Sequence, residues 1–171
     1  YQMLGETLSD PDGVEAGGTM KGMGLLPMDT VFADGKTRTR VSGIFGQVEG
    51  ELSQLSGVEL EGYEIHMGVT TLHEGASPLT TIRDHAKTTE KKQDGAYTSR
   101  VYGTYVHGVF DKEGVAEAVI RALGRKKGID TTDMKGVDFQ AFKETQYDIL
   151  AAALREHLDM KKIYEILEEG V

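Results

Sequence analysis

The sequence predicts an α/β fold, with strands in the first two thirds of the chain and amphipathic helices in the last third. Three observations support this prediction. Residues 62–70 alternate between two kinds of side chain, as a β-strand does. Residues 101–106 combine Val, Tyr and Thr with no charged residue, which is typical of a strand buried on both faces. After residue 111, apolar residues recur with helical spacing.

The composition restricts the class of protein. A chain of 171 residues is long enough for one domain with a hydrophobic core, and 39% hydrophobic with 27% charged residues is ordinary for a globular protein. The balance of 19 basic and 28 acidic residues disfavours binding to nucleic acid or to an anionic membrane. No apolar run approaches the roughly 20 residues that span a bilayer. The absence of cysteine excludes disulfides, thiolate metal sites and a cysteine nucleophile within these residues.

The first third is rich in glycine, which we interpret as turns because the sequence has no GxxxxGK[ST] phosphate-binding motif. Residues 25–32 and 37–45 are predicted to be two strands joined by a turn at Asp34-Gly35. Residues 74–96 are polar and lack periodicity, which indicates a loop or a hairpin.

Three amphipathic helices are predicted near the end of the chain. The first ends in the basic run 125–127, which suits a helix C-terminus, and the third has Asp159 as its N-cap. We expect the apolar stripes of these helices to face a core. The stripes are Ala116, Val119, Ile120 and Leu123; Tyr147, Leu150, Leu154 and Leu158; and Met160, Ile163, Tyr164 and Leu167.

The strand over residues 62–70 carries a candidate chemical pair. Glu64 and His66 lie two residues apart and so project side by side from one face. A carboxylate beside an imidazole suits an acid–base pair or half of a metal site. The alternative is a polar pair that faces solvent, and no third ligand at metal spacing accompanies the two residues.

His107 is the candidate catalytic base. It ends the apolar segment 101–107, Gly108 leaves space beside its ring, and Asp111 can cap a helix that starts just after it. Ligand sites of open α/β sheets lie at the carboxyl ends of strands, where this histidine is expected. The alternative is a hydrogen-bonded histidine with a structural role.

Several segments, taken in order, carry a resemblance to a known family. The chain resembles the C-terminal glutaminase domain of the cobyric acid synthases, a cobalamin-type member of the class I glutamine amidotransferases, from Tyr1 to about Leu167. The resemblance implies a doubly wound, flavodoxin-like sheet that lacks its first strands here, within one domain over 1–171: a sheet-rich core over 1–110 and a helical part over 111–171. The segments are Tyr1-Gln-Met-Leu-Gly5, Asp10-Pro-Asp-Gly-Val-Glu15, Gly24-Leu-Leu-Pro27, Gly62-Tyr-Glu-Ile-His-Met-Gly68, Gly103-Thr-Tyr-Val-His-Gly108 and Arg155-Glu-His-Leu-Asp-Met160.

The resemblance also assigns site residues. In this family a Cys-Gly-Gly segment stands immediately before the position of Tyr1, and its cysteine attacks the side-chain amide of glutamine. We therefore expect the nucleophile to lie outside this sequence and the 171 residues alone to be inactive. His107 matches the general base, Gln2 matches a helix residue that frames the glutamine pocket, and Glu64 and His66 match a motif near that pocket.

The implied function is a glutaminase that supplies ammonia for the amidation of adenosylcobyrinic a,c-diamide at carboxylates b, d, e and g. ATP and magnesium would bind in a synthetase domain further upstream, and this stretch would need no cofactor of its own. The expected partners are glutamine and, through the synthetase domain, the corrinoid, with no nucleic acid and no membrane. The expected location is the cytoplasm, and a homo-oligomer remains open.

Two alternatives are left open. One is another cobalamin-type amidotransferase, such as cobyrinic acid a,c-diamide synthase or the partner of a cell-wall amidating ligase. The other is a binding or assembly module that keeps the fold without the thiol.

Overall fold

The computed structural model describes residues 1–86, 90–134, 136–137 and 139–170, in two compact units, Tyr1–Gly136 and Val137–Val171. The strands are β1 (Thr7–Asp10), β2 (Gly18–Lys21), β3 (Met28–Phe45), β4 (Glu59–Leu72), β5 (Thr80–Asp84), β6 (Lys91–Asp94), β7 (Ala96–Tyr97), β8 (Tyr102–Gly103) and β9 (Val106–His107). The helices are α1 (Glu113–Lys127), α2 (Phe139–His157) and α3 (Met160–Glu169), with short 3₁₀ helices at Gln2–Leu4 and Gly50–Leu55.

The sheet of the first unit is built on the long pair β3 and β4. Its strand order is β2-β1-β3-β4-β9, and β5 pairs with the second half of β3 and with β6. The β1–β3 pair is parallel and the other pairs of this sheet are antiparallel. Strands β7 and β8 form a separate antiparallel pair. The predicted α/β class with C-terminal helices is confirmed, and the mixed sheet is consistent with a class I glutamine amidotransferase fold.

The predicted turn at Asp34-Gly35 is wrong. Residues 28–45 form one strand, because the segments before and after the glycine both pair with β4. The register shifts between Phe32 and Thr37, and Gly35 takes a φ of 136° within this bulge. A bulge absorbs extra residues without reversing the chain, and the sequence signal for a bulge resembles that for a turn. The polar stretch 74–96 contains the β5–β6 hairpin, in agreement with the hairpin prediction.

The segment around His107 also differs from the prediction. It forms the two short strands β8 and β9, separated at Thr104 and Tyr105, and only Val106 in it is fully buried. Helix α1 begins at Glu113, and its N-cap is Lys112 in place of the expected Asp111. The C-terminus of α1 is as predicted, with Arg125, Lys126 and Lys127 in the last turn.

The main core lies between the sheet and α1. It is formed by aliphatic and aromatic side chains from β3, β4, β5 and α1, and it includes the strand residue that precedes His107. Burying these side chains removes apolar area from water, which stabilises the unit. The core residues are Val41, Phe45, Val48, Leu55, Leu60, Leu79, Ile82, Tyr97, Val106, Val115 and Ala118.

The second unit consists of α2 and α3. Asp159 caps α3 by accepting a hydrogen bond from the Lys162 amide at 3.0 Å, which confirms the predicted cap. Within this unit the apolar stripes of the two helices do not face a core, since Leu150 and Leu167 are 57% and 71% exposed. Two helices offer too little surface to cover such stripes by themselves.

Candidate active site

An open cleft of about 470 Å³ lies where the first residues of the chain meet β4 and β9. Its lining mixes apolar and polar side chains, as small-molecule sites do. Three of the predicted site residues contribute to it, namely Gln2, His66 and His107. The remaining lining residues are Tyr1, Met3, Glu15, Phe32, Lys36, Ile65, Met67, Thr104, Tyr105 and Val106.

A loop anchored by Asp10 brings Glu15 to this cleft. The Asp10 carboxylate accepts hydrogen bonds from the backbone amides of Val14, Glu15 and Gly17, each at 2.8 Å. Burial would raise the pKa of Asp10, but these backbone hydrogen bonds outweigh it, and the pKa lies below its usual value of 3.8. An ionised aspartate therefore holds the loop in place.

His107 lies at the end of β9 with an exposed side chain. It pairs with Tyr63 on β4, and directly paired residues share one face of a sheet. Neither ring nitrogen of His107 contacts a hydrogen-bond partner among the described residues. The imidazole is therefore available to accept a proton.

The backbone of β9 lies unusually close to β4. A Cβ atom at Gly62 would stand 2.2 Å from the carbonyl oxygen of His107 and 2.6 Å from Cγ1 of Val106. Real Cβ atoms do not approach other atoms so closely, so only glycine fits here. The next residue after the histidine, Gly108, has a φ of 74°, which lets the chain turn away at once.

Gln2 begins the first 3₁₀ helix, where its carbonyl oxygen accepts a hydrogen bond from the Gly5 amide at 3.1 Å. Its side chain lies near β4, because a Cβ at Gly68 would be 3.6 Å from Oε1 of Gln2. The same Cβ would stand 2.5 Å from Cγ2 of Thr30. The second glycine of the 62–68 motif thus provides the space in which Gln2 approaches the strand.

Glu64 and His66 contact each other, as the alternation predicts. Nε2 of His66 donates to Oε1 of Glu64 at 2.6 Å, and Nδ1 of His66 lies 2.7 Å from the carbonyl oxygen of Gly68. Nζ of Lys92 donates to the same Oε1 at 2.6 Å. Glu64 is only 1% exposed, so the alternative of a solvent-facing pair is wrong.

The charge on Glu64 is stabilised in spite of its burial. Burial is the largest influence and raises the pKa, but hydrogen bonds and charges from His66 and Lys92 together hold the pKa of Glu64 below its usual value of 4.5. The second carboxylate oxygen, Oε2, is buried and has no hydrogen-bond partner among the described residues. In the same region burial raises the pKa of Asp94, and the charge of Glu64 adds to this effect.

Tyr105 connects this cluster with the histidine strand. Its ring stacks on the ring of His66, with centroids 3.9 Å apart and planes 19° apart. The edge of the Tyr1 ring packs against it at 4.7 Å, and its hydroxyl lies 2.8 Å from Oγ1 of Thr70. Burial raises the pKa of both tyrosines, so both hydroxyls stay protonated at neutral pH.

The predicted residues do not all converge in one place. Glu64 and Lys92 line a second cleft of about 400 Å³. Glu64 pairs with Val106, the residue before His107, so Glu64 and His107 project from opposite faces of the sheet. His66 and Tyr105 line both clefts.

Sequence reasoning missed two residues of this region. Lys92 lies in a polar hairpin without periodicity, and Tyr105 has the sequence pattern of a core strand residue.

The described residues contain no group of three histidine, aspartate or glutamate side chains able to hold a metal ion. Among the helices of that same part of the chain, none combines the length and the apolar character that a bilayer crossing requires.

Comparison with known proteins identifies relatives of the whole chain. Residues 1–115 match the family described as the CobB/CobQ-like glutamine amidotransferase domain. The cobyric acid synthases of Ruminiclostridium cellulolyticum and Lachnoclostridium phytofermentans are 49% and 48% identical over 172 and 178 residues, covering 100% of this chain. That of Citrobacter koseri is 42% identical over 173 residues, or 99% of this chain.

The match covers 34%, 35% and 33% of these three relatives, so the chain spans about a third of their length. The site residues discussed above lie within residues 1–115, the part of the chain that the family match covers. The chain belongs to the CobB/CobQ-like glutamine amidotransferase domain family.

Proposed function

We propose that this chain is the glutaminase part of a cobyric acid synthase. In this proposal it hydrolyses glutamine, and the ammonia amidates carboxylates b, d, e and g of adenosylcobyrinic a,c-diamide. The observation that carries the proposal is the end-to-end similarity to cobyric acid synthases, at up to 49% identity. An exposed histidine with both ring nitrogens available, in a cleft with Gln2, supports a hydrolytic role.

We propose His107 as the general base and acid. It accepts the proton of a cysteine thiol, and the thiolate attacks the side-chain carbonyl carbon of glutamine. His107 then returns this proton to the amide nitrogen, the C–N bond breaks, and ammonia leaves a glutamyl thioester. Water attacks the thioester carbonyl carbon while His107 accepts its proton; the C–S bond then breaks, glutamate leaves, and His107 returns the proton to the cysteine sulfur. Since the 171 residues contain no cysteine, the thiol belongs to a part of the enzyme outside them.

The other site residues are proposed to shape the substrate pocket. Gln2 and His66 line the cleft that contains His107, and we assign them to the walls of the glutamine site. Glu64 supports His66 through Oε1 and lines the second cleft. These roles require the side chains to keep their positions, which the glycines at 62 and 68 permit.

The proposal assigns the remaining reactants to other parts of the enzyme. ATP, magnesium and the corrinoid bind to the synthetase part, and this chain supplies no cofactor ligand. A cytoplasmic location remains a prediction. Apolar residues exposed on one face of β3 and β4, such as Val31 and Val69, make a homo-oligomer reasonable. Sedimentation equilibrium that gives the monomer mass at every protein concentration would exclude it.

The test is a comparison of nitrogen donors. The full-length protein that carries this chain is incubated with the a,c-diamide, ATP and magnesium, with either glutamine or an ammonium salt. We expect amidation with both donors and glutamate release with glutamine. The 171-residue polypeptide alone should release no glutamate, because His107 cannot replace the nucleophile that it activates. A full-length protein that uses ammonium and never glutamine would favour the non-catalytic module.

A further inference from the structure

Lys92 forms an ion cluster with Glu64 and His66, and it is the member of this cluster that has no role in the hydrolysis proposed above. Lys92 lies on β6, which forms one edge of the sheet because it pairs only with β5. His107 lies on β9, which forms the opposite edge. The cluster therefore connects two strands that do not pair with each other. Its position between the two clefts suggests that it supports the cleft that contains His107.

The first step is the charge of Glu64. An isolated carboxylate that is 1% exposed is costly, and it stays ionised only when it is paired. Two donors at 2.6 Å, one from His66 and one from Lys92, share its oxygen Oε1. Lys92 is half exposed and keeps its charge in contact with water, so it stabilises the buried carboxylate from the surface side.

The second step is the orientation of His66. Both of its ring nitrogens face acceptors, the Glu64 carboxylate and the Gly68 carbonyl oxygen. An ionised carboxylate and a carbonyl oxygen can only accept, so each contact is a hydrogen bond when the facing ring nitrogen donates. The other titratable groups that face this cluster are Asp94 on β6 and the tyrosines at 1 and 105.

The third step leads to the histidine strand. The ring of His66 stacks on Tyr105, which lies two residues before His107 and directly before the buried Val106. Tyr105 lies in the irregular segment between β8 and β9, where no ladder of backbone hydrogen bonds fixes the chain. Side-chain contacts must therefore hold it.

We propose that Lys92 is a positioning residue: it fixes the Glu64 carboxylate, which holds the His66 ring against Tyr105 and so keeps His107 in place for glutamine hydrolysis. This inference rests on the proposed glutaminase function. It assigns Lys92 no contact with substrate. A shift of about 1 Å in a catalytic group can lower the rate about 10²-fold, so a distant support of this kind has a measurable effect.

The experiment compares Lys92→Met, Lys92→Arg and Lys91→Met in the full-length enzyme. Lys91 is the neighbouring exposed residue on β6 and forms no ion pair among the described residues, which makes it the matched control. For Lys92→Met we expect kcat of glutamine hydrolysis to fall about 3- to 10-fold, with a much smaller change in KM and unchanged use of ammonium. Lys92→Arg should restore most of kcat, and Lys91→Met should behave as the unsubstituted enzyme.

A second readout does not depend on activity. Strongly hydrogen-bonded imidazole N–H protons give downfield proton NMR signals, which His66→Gln would assign. We expect Lys92→Met to shift or remove them and Lys91→Met to leave them unchanged. One outcome contradicts the positioning role alone: the unsubstituted enzyme hydrolyses glutamine, and the Lys92→Met variant has the same kcat. A variant with a lower melting temperature and an unchanged kcat counts in the same way. In both cases the proposed function stands. If the unsubstituted enzyme hydrolyses no glutamine, both proposals fall.

Discussion

Two walls of the same cleft present a histidine in opposite ways. On the β4 wall, both ring nitrogens of His66 contact acceptors and its ring stacks on Tyr105. On the β9 wall, the His107 ring is exposed and has no hydrogen-bond partner among the described residues. A proton acceptor needs a free lone pair, which His107 can offer and His66 cannot. The comparison separates a residue that can transfer protons from one that supports the site.

Replacing His107 should give the largest effect. In the full-length enzyme, we expect His107→Ala to lower glutamine-dependent amidation about 10²- to 10⁴-fold, the usual contribution of a general acid–base residue. Amidation with ammonium should persist, because that reaction needs no glutamine hydrolysis. Rates with the two nitrogen donors, measured side by side, test this. His157→Ala, at the end of α2, is the control and should be nearly silent. Equal loss with both donors would make His107 a structural residue.

Replacing His66 should have a smaller effect on the same reaction. We expect His66→Ala to lower kcat of glutamine hydrolysis about tenfold, because the variant loses the stacking partner of Tyr105 and keeps the proton-transfer group. Steady-state kinetics with glutamine give the value, and His85→Ala on the exposed surface is the control. If His66→Ala were as damaging as His107→Ala, the distinction between the two walls would fail.

Replacing Glu64 should affect stability in a pH-dependent way. The pKa of Glu64 is lowered in the folded state, so its contribution to stability is complete above its usual pKa of 4.5 and is lost as the pH falls through the lowered value. We expect Glu64→Gln to lower the free energy of unfolding at pH 7 by about 1–3 kcal/mol, the cost of disrupting a buried hydrogen bond. The difference from the unsubstituted protein should shrink below pH 4.5.

Urea unfolding at pH 7 and at successively lower pH values tests this, with Glu61→Gln as the control on the same strand. Glu61 is about half exposed in its ion pairs with Arg40 and Lys112, so its replacement should change stability little. A difference between Glu64→Gln and the unsubstituted protein that stays constant from neutral to acid pH would show that the charge of Glu64 is not what stabilises the cluster.

Sequence reasoning located the strand residues of the site better than their surroundings. Strand alternation places Glu64 beside His66, and their contact is confirmed. The position of His107 at a strand end is also confirmed, although its catalytic role stays a prediction. Lys92 was not foreseeable, because its contact with Glu64 depends on how the β5–β6 hairpin pairs with β3, and this long-range register leaves no periodic signal.

Errors in the fold prediction have a similar origin. The signal at Asp34-Gly35 is the same for a turn and for a bulge, and only the shared partner strand β4 decides between them. Helical spacing correctly predicts α2 and α3, but periodicity identifies an apolar stripe without showing what covers it. Local patterns thus predict elements, whereas pairing and burial depend on residues far apart in the chain.

The close approach at Gly62 has a consequence for how this domain tolerates sequence change. Because the His107 carbonyl lies where a Cβ would stand, backbone atoms determine the spacing between β4 and β9. Any side chain at position 62 would push β9 away from β4 and displace the histidine with it. We therefore expect position 62 to accept no residue but glycine while His107 keeps its place.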